Sequence, residues 1–234
     1  MNIDDATTTN CPDNVYRALC AMFDRQRELM AKYCGIEKRN GGNVPADPIS
    51  LQDAKRQWRI KEDFWRTTEE IAEAWEELHL VGNEINSWRT HWGSNPKVRH
   101  IFEELADAFH FLIEATLHSG HDVDSLDLKA LYEDYGNHEV NLMAEAQMND
   151  FATDARNNSH LFIEAMGIAA NELKNKPWKQ TQMETDTERF RSRLRNVWAE
   201  WFSVWTALDA DYRDFFDLYF KKSEVNKFRQ RSQY

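Results

Sequence analysis

The sequence predicts an all-α protein. Long stretches repeat apolar residues at helical spacing, short polar breaks separate them, and no alternating β-branched run appears. Eight glycines and five prolines among 234 residues leave few interruptions. That length allows one large domain, or two small ones, with a sizeable core.

In chain order, "NVYRALCAMFDRQRELMAKYCGI" reads as a first helix ending near Gly35. "EKRNGGNVPADPIS" is the clearest loop, because glycine and proline crowd it. A second helical block runs from about Leu51 to Leu80, and "GNEINSWRTHWGSNP" interrupts it before a helix beginning near Lys97. "HSGHDVDSLD" closes that helix and "LKALYEDYG" is a short helical piece. "NHEVNLMAEAQMNDFATDAR" and "HLFIEAMGIAANELKN" read as two helices on either side of the polar turn "NNS". "KPWKQTQMETD" is a connector, since Pro177 cannot sit in a helix interior. A last long helical block, "TERFRSRLRNVWAEWFSVWTALDADYRDFFDLYF", leads into a basic tail. Within it Trp198, Trp201, Phe202 and Trp205 share one face, the pattern of a core or subunit contact. Neither a repeat nor a low-complexity tract is present, and residues 1–234 are expected to form one helical domain with 118–215 as an inserted or mobile portion.

The formal net charge of −11 argues against a general nucleic-acid coat, because phosphate backbones attract basic surfaces. It leaves open a phosphorylated small molecule bridged to acidic groups by divalent cations. No apolar run reaches the ~18 residues of a membrane span, and no charged-then-apolar leader is present, so a soluble protein without membrane contact is expected. Cys11, Cys20 and Cys34 are an odd set without metal spacing, which favours a reducing compartment.

The chemistry lies in the carboxylates. In "FEELADAFHFLIEATL", Phe102, Leu105, Ala106, Phe109, Leu112 and Ile113 form one apolar stripe, and Glu104 and Asp107 point roughly away from it. Taken alone, such a pair is a solvated face. A second pair stands in "TTEEIAEAWEELH", where Ile71, Trp75 and Leu78 are the apolar side and Glu70, Glu73 and Glu77 lie opposite. Glu70 and Glu73 repeat the one-turn spacing of Glu104 and Asp107, about 4.5 Å of rise. Two such helices side by side bring four anionic donors to one cavity, suited to Mg²⁺ or Mn²⁺. Phe111, on the same outer face, implies that this face is covered. A competing reading takes Glu76 and His79 as the Glu-x-x-His of a di-iron bundle, with Asp107 and His110 as an imperfect second copy.

The tail reverses the charge of the chain, with five cations and one acid in its last fourteen positions. Lys222, Asn226 and Arg229 fall on one helical face, and Tyr219, Val225, Phe228 and Tyr234 are interspersed as if to pack. Such a face can hold a polyphosphate.

In order along the chain, these motifs resemble those of the dimeric all-α dUTPases, relatives of the MazG-type nucleoside triphosphate pyrophosphatases. Gln26-x-x-Leu29 resembles the family's nucleoside-contacting Gln-x-x-Leu-Asn. Glu70-x-x-Glu73 and Glu104-x-x-Asp107 match its two metal motifs, and "DAFHF" resembles the aromatic-His-Phe after the second. "SWRTHW" is similar to a Trp-basic-x-Trp segment between them, and "KKSEVNKFRQRSQY" to the family's closing Lys-Asn-x-Leu-Asn-x-x-Arg-Gln motif ending in Gly-Tyr. Met30, Ser223 and Gln233 depart from the pattern, standing where the family has Asn, Asn and Gly. Phage enzymes with a similarly loose first motif act on dCTP as well as dUTP.

The resemblance implies a helical bundle of the all-α NTP pyrophosphatase type and Mg²⁺-dependent hydrolysis of dUTP, and of dUDP, to dUMP by water attack at the α-phosphate. Glu70, Glu73, Glu104 and Asp107 are the expected ligands of two or three Mg²⁺ ions, with Mn²⁺ as a substitute. Glu73 is the preferred base and Glu70 the other choice. Lys222, Asn226, Arg229 and Tyr234 are the expected phosphate contacts, and Gln26, Trp88, His110 and Phe111 the nucleoside contacts. A homodimer in the cytosol of a bacterium or phage-infected host follows from the same likeness. The alternatives are a pyrophosphatase of broader base range, dCTP included, and a non-catalytic helical interaction protein that keeps the enzyme's shape.

Overall fold

The computed structural model describes residues 6, 9–42, 50–81, 96–136, 151–208 and 210–231. Over these residues the chain is helical, without strands: α1 (Val15–Arg39), α2 (Ala54–Val81), α3 (Pro96–His118), α4 (Leu128–Tyr135), α5 (Phe151–Glu172), α6 (Thr187–Ala207) and α7 (Tyr212–Arg231). None of them is long and apolar enough to cross a membrane.

Local chemistry sets the ends. Asn14 caps α1 by accepting from the Arg17 amide at 3.0 Å, and Asp186 caps α6 by accepting from the Arg189 amide at 2.9 Å. Helix α1 runs four residues past Gly35, where the sequence alone places its end. A helical glycine costs only about 1 kcal/mol, and Lys38 and Arg39 in the last turn complement the helix dipole. The chain then turns at Gly41, whose φ of +81° is the left-handed conformation glycine adopts freely.

Two other boundaries differ from the sequence pattern. "NNS" at 157–159 does not interrupt α5; the Ser159 hydroxyl donates back to the Ala155 carbonyl at 2.8 Å, and the helix continues. The last helical block resolves into two helices. Leu208 closes α6, and Asp211 and Asp214 exchange backbone-to-carboxylate hydrogen bonds at 2.8 and 3.2 Å, a reciprocal cap that starts α7 afresh.

Helices α2 and α3 pack along one another, α5 along α6, and α7 against both α1 and α3. The core they share is aromatic. Trp198, Trp201, Phe202 and Trp205 are all buried, as their helical spacing implies. Phe109 of α3 is the hub, with ring centroids 5.4–6.5 Å from Trp198, Trp201, Trp205, Phe215 and Tyr219. Edge-to-face geometry at three of these contacts is the arrangement aromatic quadrupoles favour. This rigid wall fixes the azimuth of α3, and therefore which way its acids face. Replacing Phe109 with Ala is predicted to cost about 3–5 kcal/mol in chemical denaturation, from the cavity left at the hub. A loss below about 1 kcal/mol would show that α3 is oriented by something else.

Candidate metal centre between α2, α3 and α7

Glu104 and Asp107 leave α3 on the side away from Phe109 and meet α2 rather than water. Glu104 is buried and Asp107 half-buried. Glu70 of α2 joins them, and one carboxylate oxygen of each of the three lies within 4.8 Å of the others. Like charges at this spacing, in a partly desolvated crevice, require compensation. Part of it comes from α7: Lys222, itself buried, places Nζ 2.8 Å from Asp107 Oδ2. His100 Nε2 lies 3.2 Å from Glu104 Oε1. Burial, a hydrogen bond with Glu104 and the neighbouring acids push the Glu70 carboxyl up to about 8. Burial also raises Asp107, while Lys222 and Arg229 oppose the rise. Crowded carboxylate oxygens, with a lysine and a shared proton standing in for positive charge, match the donor set of a hard divalent cation.

Glu73 stands apart from this trio. It is exposed, one turn further along α2, and reaches the cluster through its field on Glu70. Asn226 is half-buried one turn beyond Lys222, and Arg229 is exposed yet close enough to act on Asp107. Trp88 and Tyr234 lie outside the described residues, as does the side chain of His79.

Gln26 and His110 come together in the interior. His110 Nδ1 faces Gln26 Oε1 at 2.8 Å, which places the ring proton on Nδ1. The Tyr219 hydroxyl lies 2.9 Å from the same oxygen and its ring stacks on the imidazole at 4.0 Å between centroids. Burial, reinforced by Lys222, drives His110 down to about 3, so the ring is neutral at ordinary pH. Its Nε2 is buried with no hydrogen-bond partner among the described residues. Asp107 and His110, one turn apart on α3, thus serve different neighbours, and the second copy of the di-iron pattern does not form a chelating pair. Phe111 is half-buried, with the Arg66 guanidinium 5.5 Å from its ring centre.

Two features escape the sequence reading. Arg25 of α1 donates to the Ser223 hydroxyl and pairs with Glu224, clamping α7 at the level of Lys222. Nothing local links residues almost two hundred positions apart. The other is a second acid cluster, Asp63, Glu114 and His118, also able to chelate a metal. Asp63 and Glu114 lie seven residues from Glu70 and Asp107 respectively, so this cluster sits about 10 Å further along the same helix pair. Its partners come from the same helix pair: His118 Nδ1 is 2.7 Å from Asp63 Oδ2, and Arg59 reaches Glu114 at 3.2 Å and Asp63 at 3.8 Å. The seven-residue echo was visible in the sequence, but nothing there showed that Asp63 faces inward.

A family model described as dUTPase matches residues 52–234. The chain belongs to the dUTPase family. Neither a curated protein nor a solved structure matches it. Membership brings hydrolase chemistry of the nucleoside triphosphate pyrophosphatase class, and the matched span takes in α2, α3 and α7, which carry the acids and Lys222. Helix α1, with Gln26 and Arg25, precedes the matched span.

The second cluster gives a pH prediction for this dUTPase-family chain. Burial raises Asp63 from 3.8 to about 8, with Arg59 opposing the rise. Between those values the folded protein holds a proton that the unfolded chain has released, so stability falls as pH rises through the window. Asp63→Asn is predicted to flatten the decline in melting temperature between about pH 5 and pH 8. A variant whose melting temperature falls as steeply as the parent's would show that Asp63 is ionised in the folded chain throughout.

Proposed function

We propose that the chain hydrolyses dUTP, and dUDP, to dUMP in a Mg²⁺-dependent reaction, with water attacking the α-phosphorus in line. The bond broken is the α–β phosphoanhydride; pyrophosphate leaves from dUTP and phosphate from dUDP. One observation carries the reading: acids from two helices and a lysine from a third, far apart in sequence, meet at one point. Isolated acid pairs are common on helix surfaces; a desolvated trio beside a buried ammonium is not.

Glu70, Glu73, Glu104 and Asp107 hold two or three Mg²⁺ ions in this reading, with Mn²⁺ as a substitute. Bound there, the metal supplies the positive charge that polarises the attacking water and offsets charge on the phosphoryl oxygens. Glu73 takes the water's proton. Its place at the exposed edge of the crevice suits a base that must exchange protons with solvent. Lys222, Asn226, Arg229 and Tyr234 hold the departing phosphates, for which the Lys222 ammonium must exchange Asp107 for phosphate oxygens. Gln26, Trp88, His110 and Phe111 receive the nucleoside; the neutral His110 ring, with its bare Nε2, presents an acceptor rather than a charge.

Residues 1–234 act as one catalytic domain in this proposal, with 118–215 as a helical insertion, and a cytosolic homodimer as the working unit. A second reading extends the substrate range to dCTP. Met30, standing where the family's base-contacting Asn is found, favours it, because a thioether cannot discriminate the uracil and cytosine edges by hydrogen bonding.

Two measurements test the proposal. Glu104→Gln, which keeps shape and removes charge, is expected to lower Mg²⁺-dependent dUTP turnover by at least the roughly 10–100-fold that even outer-shell partners contribute. Unchanged turnover would sink the acid site. Across a panel of deoxynucleotides, dUTP and dCTP should be hydrolysed well ahead of dATP and dGTP, and a purine preference would overturn the pyrimidine assignment.

A further inference from the structure

Away from the acids, where α5 hands over to α6, the chain makes a loop that carries no acidic residue from 173 to 183 but holds Lys174, Lys176 and Lys179. Trp178, at its tip, is 63 % exposed and meets the half-exposed Trp58 of α2 edge-on at 5.0 Å between centroids. Lys176 Nζ lies 5.5 Å from the Trp178 ring centre. Lys61 of α2 is tied to the Leu173 carbonyl, and the fields of Lys176 and Lys179 act on it. Of the acids flanking this surface in sequence, Glu172 is paired with Arg189 at 3.0 Å and Glu62 with Arg66 at 3.1 Å, while Glu184 is exposed.

Exposed tryptophans on a floppy loop would mean little, but this loop is built. Beneath it Gln57, Asn175 and Thr185 are buried and mutually bonded. Asn175 accepts from the Met183 amide at 2.7 Å and donates to the Met183 and Gln52 carbonyls, while its own amide donates to Gln57 Oε1 at 2.7 Å. Gln57 also donates to the Thr185 hydroxyl at 2.6 Å, and Gln52 exchanges two hydrogen bonds with the Thr185 backbone. A side chain as apolar as Trp178, held out in water on a rigid support, has its ordering cost met before any ligand arrives.

Flat aromatic faces interleaved with cations are the two elements that grip unpaired nucleotides: bases stack on the indoles, and phosphates pair with the lysines. We propose that Trp58 and Trp178, with Lys61, Lys174, Lys176 and Lys179, form a binding surface for single-stranded nucleic acid. The chain's net charge of −11 argues against a general coat and is compatible with a local site, because screening confines each charge's field to about 10 Å. Trp58 lies twelve residues before Glu70 on α2, about 18 Å along the helix, so the surface is separate from the acid centre. It stands whether or not the proposed reaction does.

Fluorescence anisotropy of a labelled oligothymidylate of about sixteen nucleotides, titrated with the full chain, tests it. Binding is expected at about 50 mM salt. If three lysines each neutralise one phosphate, affinity should fall about 18-fold on going to about 200 mM. Trp178→Ala should weaken binding about fivefold or more, and the Lys176→Ala/Lys179→Ala pair should flatten the salt dependence, both with unchanged dUTP turnover and circular dichroism. No binding at low salt overturns the proposal, as does a Trp178→Ala variant that binds as the parent does. Inorganic polyphosphate that competes as well as the oligonucleotide, charge for charge, also overturns it, by showing that no base is stacked. So does a Trp178→Ala variant that turns a dimer into a monomer in sedimentation, since the indoles would then be seated against a second copy.

Discussion

The structure turns on the need to neutralise buried negative charge where α2 meets α3. Glu70, Glu104 and Asp107 bring three acidic groups into a crevice that water only partly reaches, and a second set, Asp63 and Glu114, lies further along the same interface. Helix pairs are ordinarily held by apolar ridges, and this one has them in Ile71, Leu105 and Leu112. The charge adds a demand that apolar packing cannot meet: counter-ions must be supplied at fixed places. At one cluster the partners, Arg59 and His118, come from the same two helices. At the other the buried cation comes from a third helix, as Lys222 on α7 beside Asp107.

Both the aromatic core and the α1–α7 clamp serve this arrangement. Phe109 and the tryptophans of α6 fix the rotation of α3 about its axis, which keeps Asp107 turned outward while Phe109 stays within. Arg25 holds Ser223 and Glu224, the two residues that follow Lys222, so α7 is pinned to α1 right beside the ammonium. The Gln26–His110–Tyr219 cluster fills the space between, and its neutral imidazole keeps further positive charge away from Lys222.

Helical character, the apolar stripe of α3 and the tryptophan stripe of α6 were legible in the sequence because they are periodic, and periodicity is local. The pairing of Glu70 with Glu104 and Asp107 was legible only by combining motifs, since each pair alone has the pattern of a solvated face. Three things were not legible for physical reasons. Asn157 and Asn158 look like a turn, but an uninterrupted packing surface with α6 carries the helix through them. The α6–α7 break depends on a carboxylate–amide exchange at Asp211 and Asp214 that the surrounding apolar pattern masks. Asp63 is an ordinary helical acid in the sequence; its burial follows from where α3 lies, and no pattern within α2 encodes that.

The order of the chain gives Lys222 one more meaning. A ribosome delivers Glu70, Glu104 and Asp107 more than a hundred residues before it delivers the lysine that balances them. A nascent chain that has made α2 and α3 therefore holds these acids before the Lys222 ammonium can reach Asp107. The charge cluster is thus completed from a helix made well after the two that carry its acids.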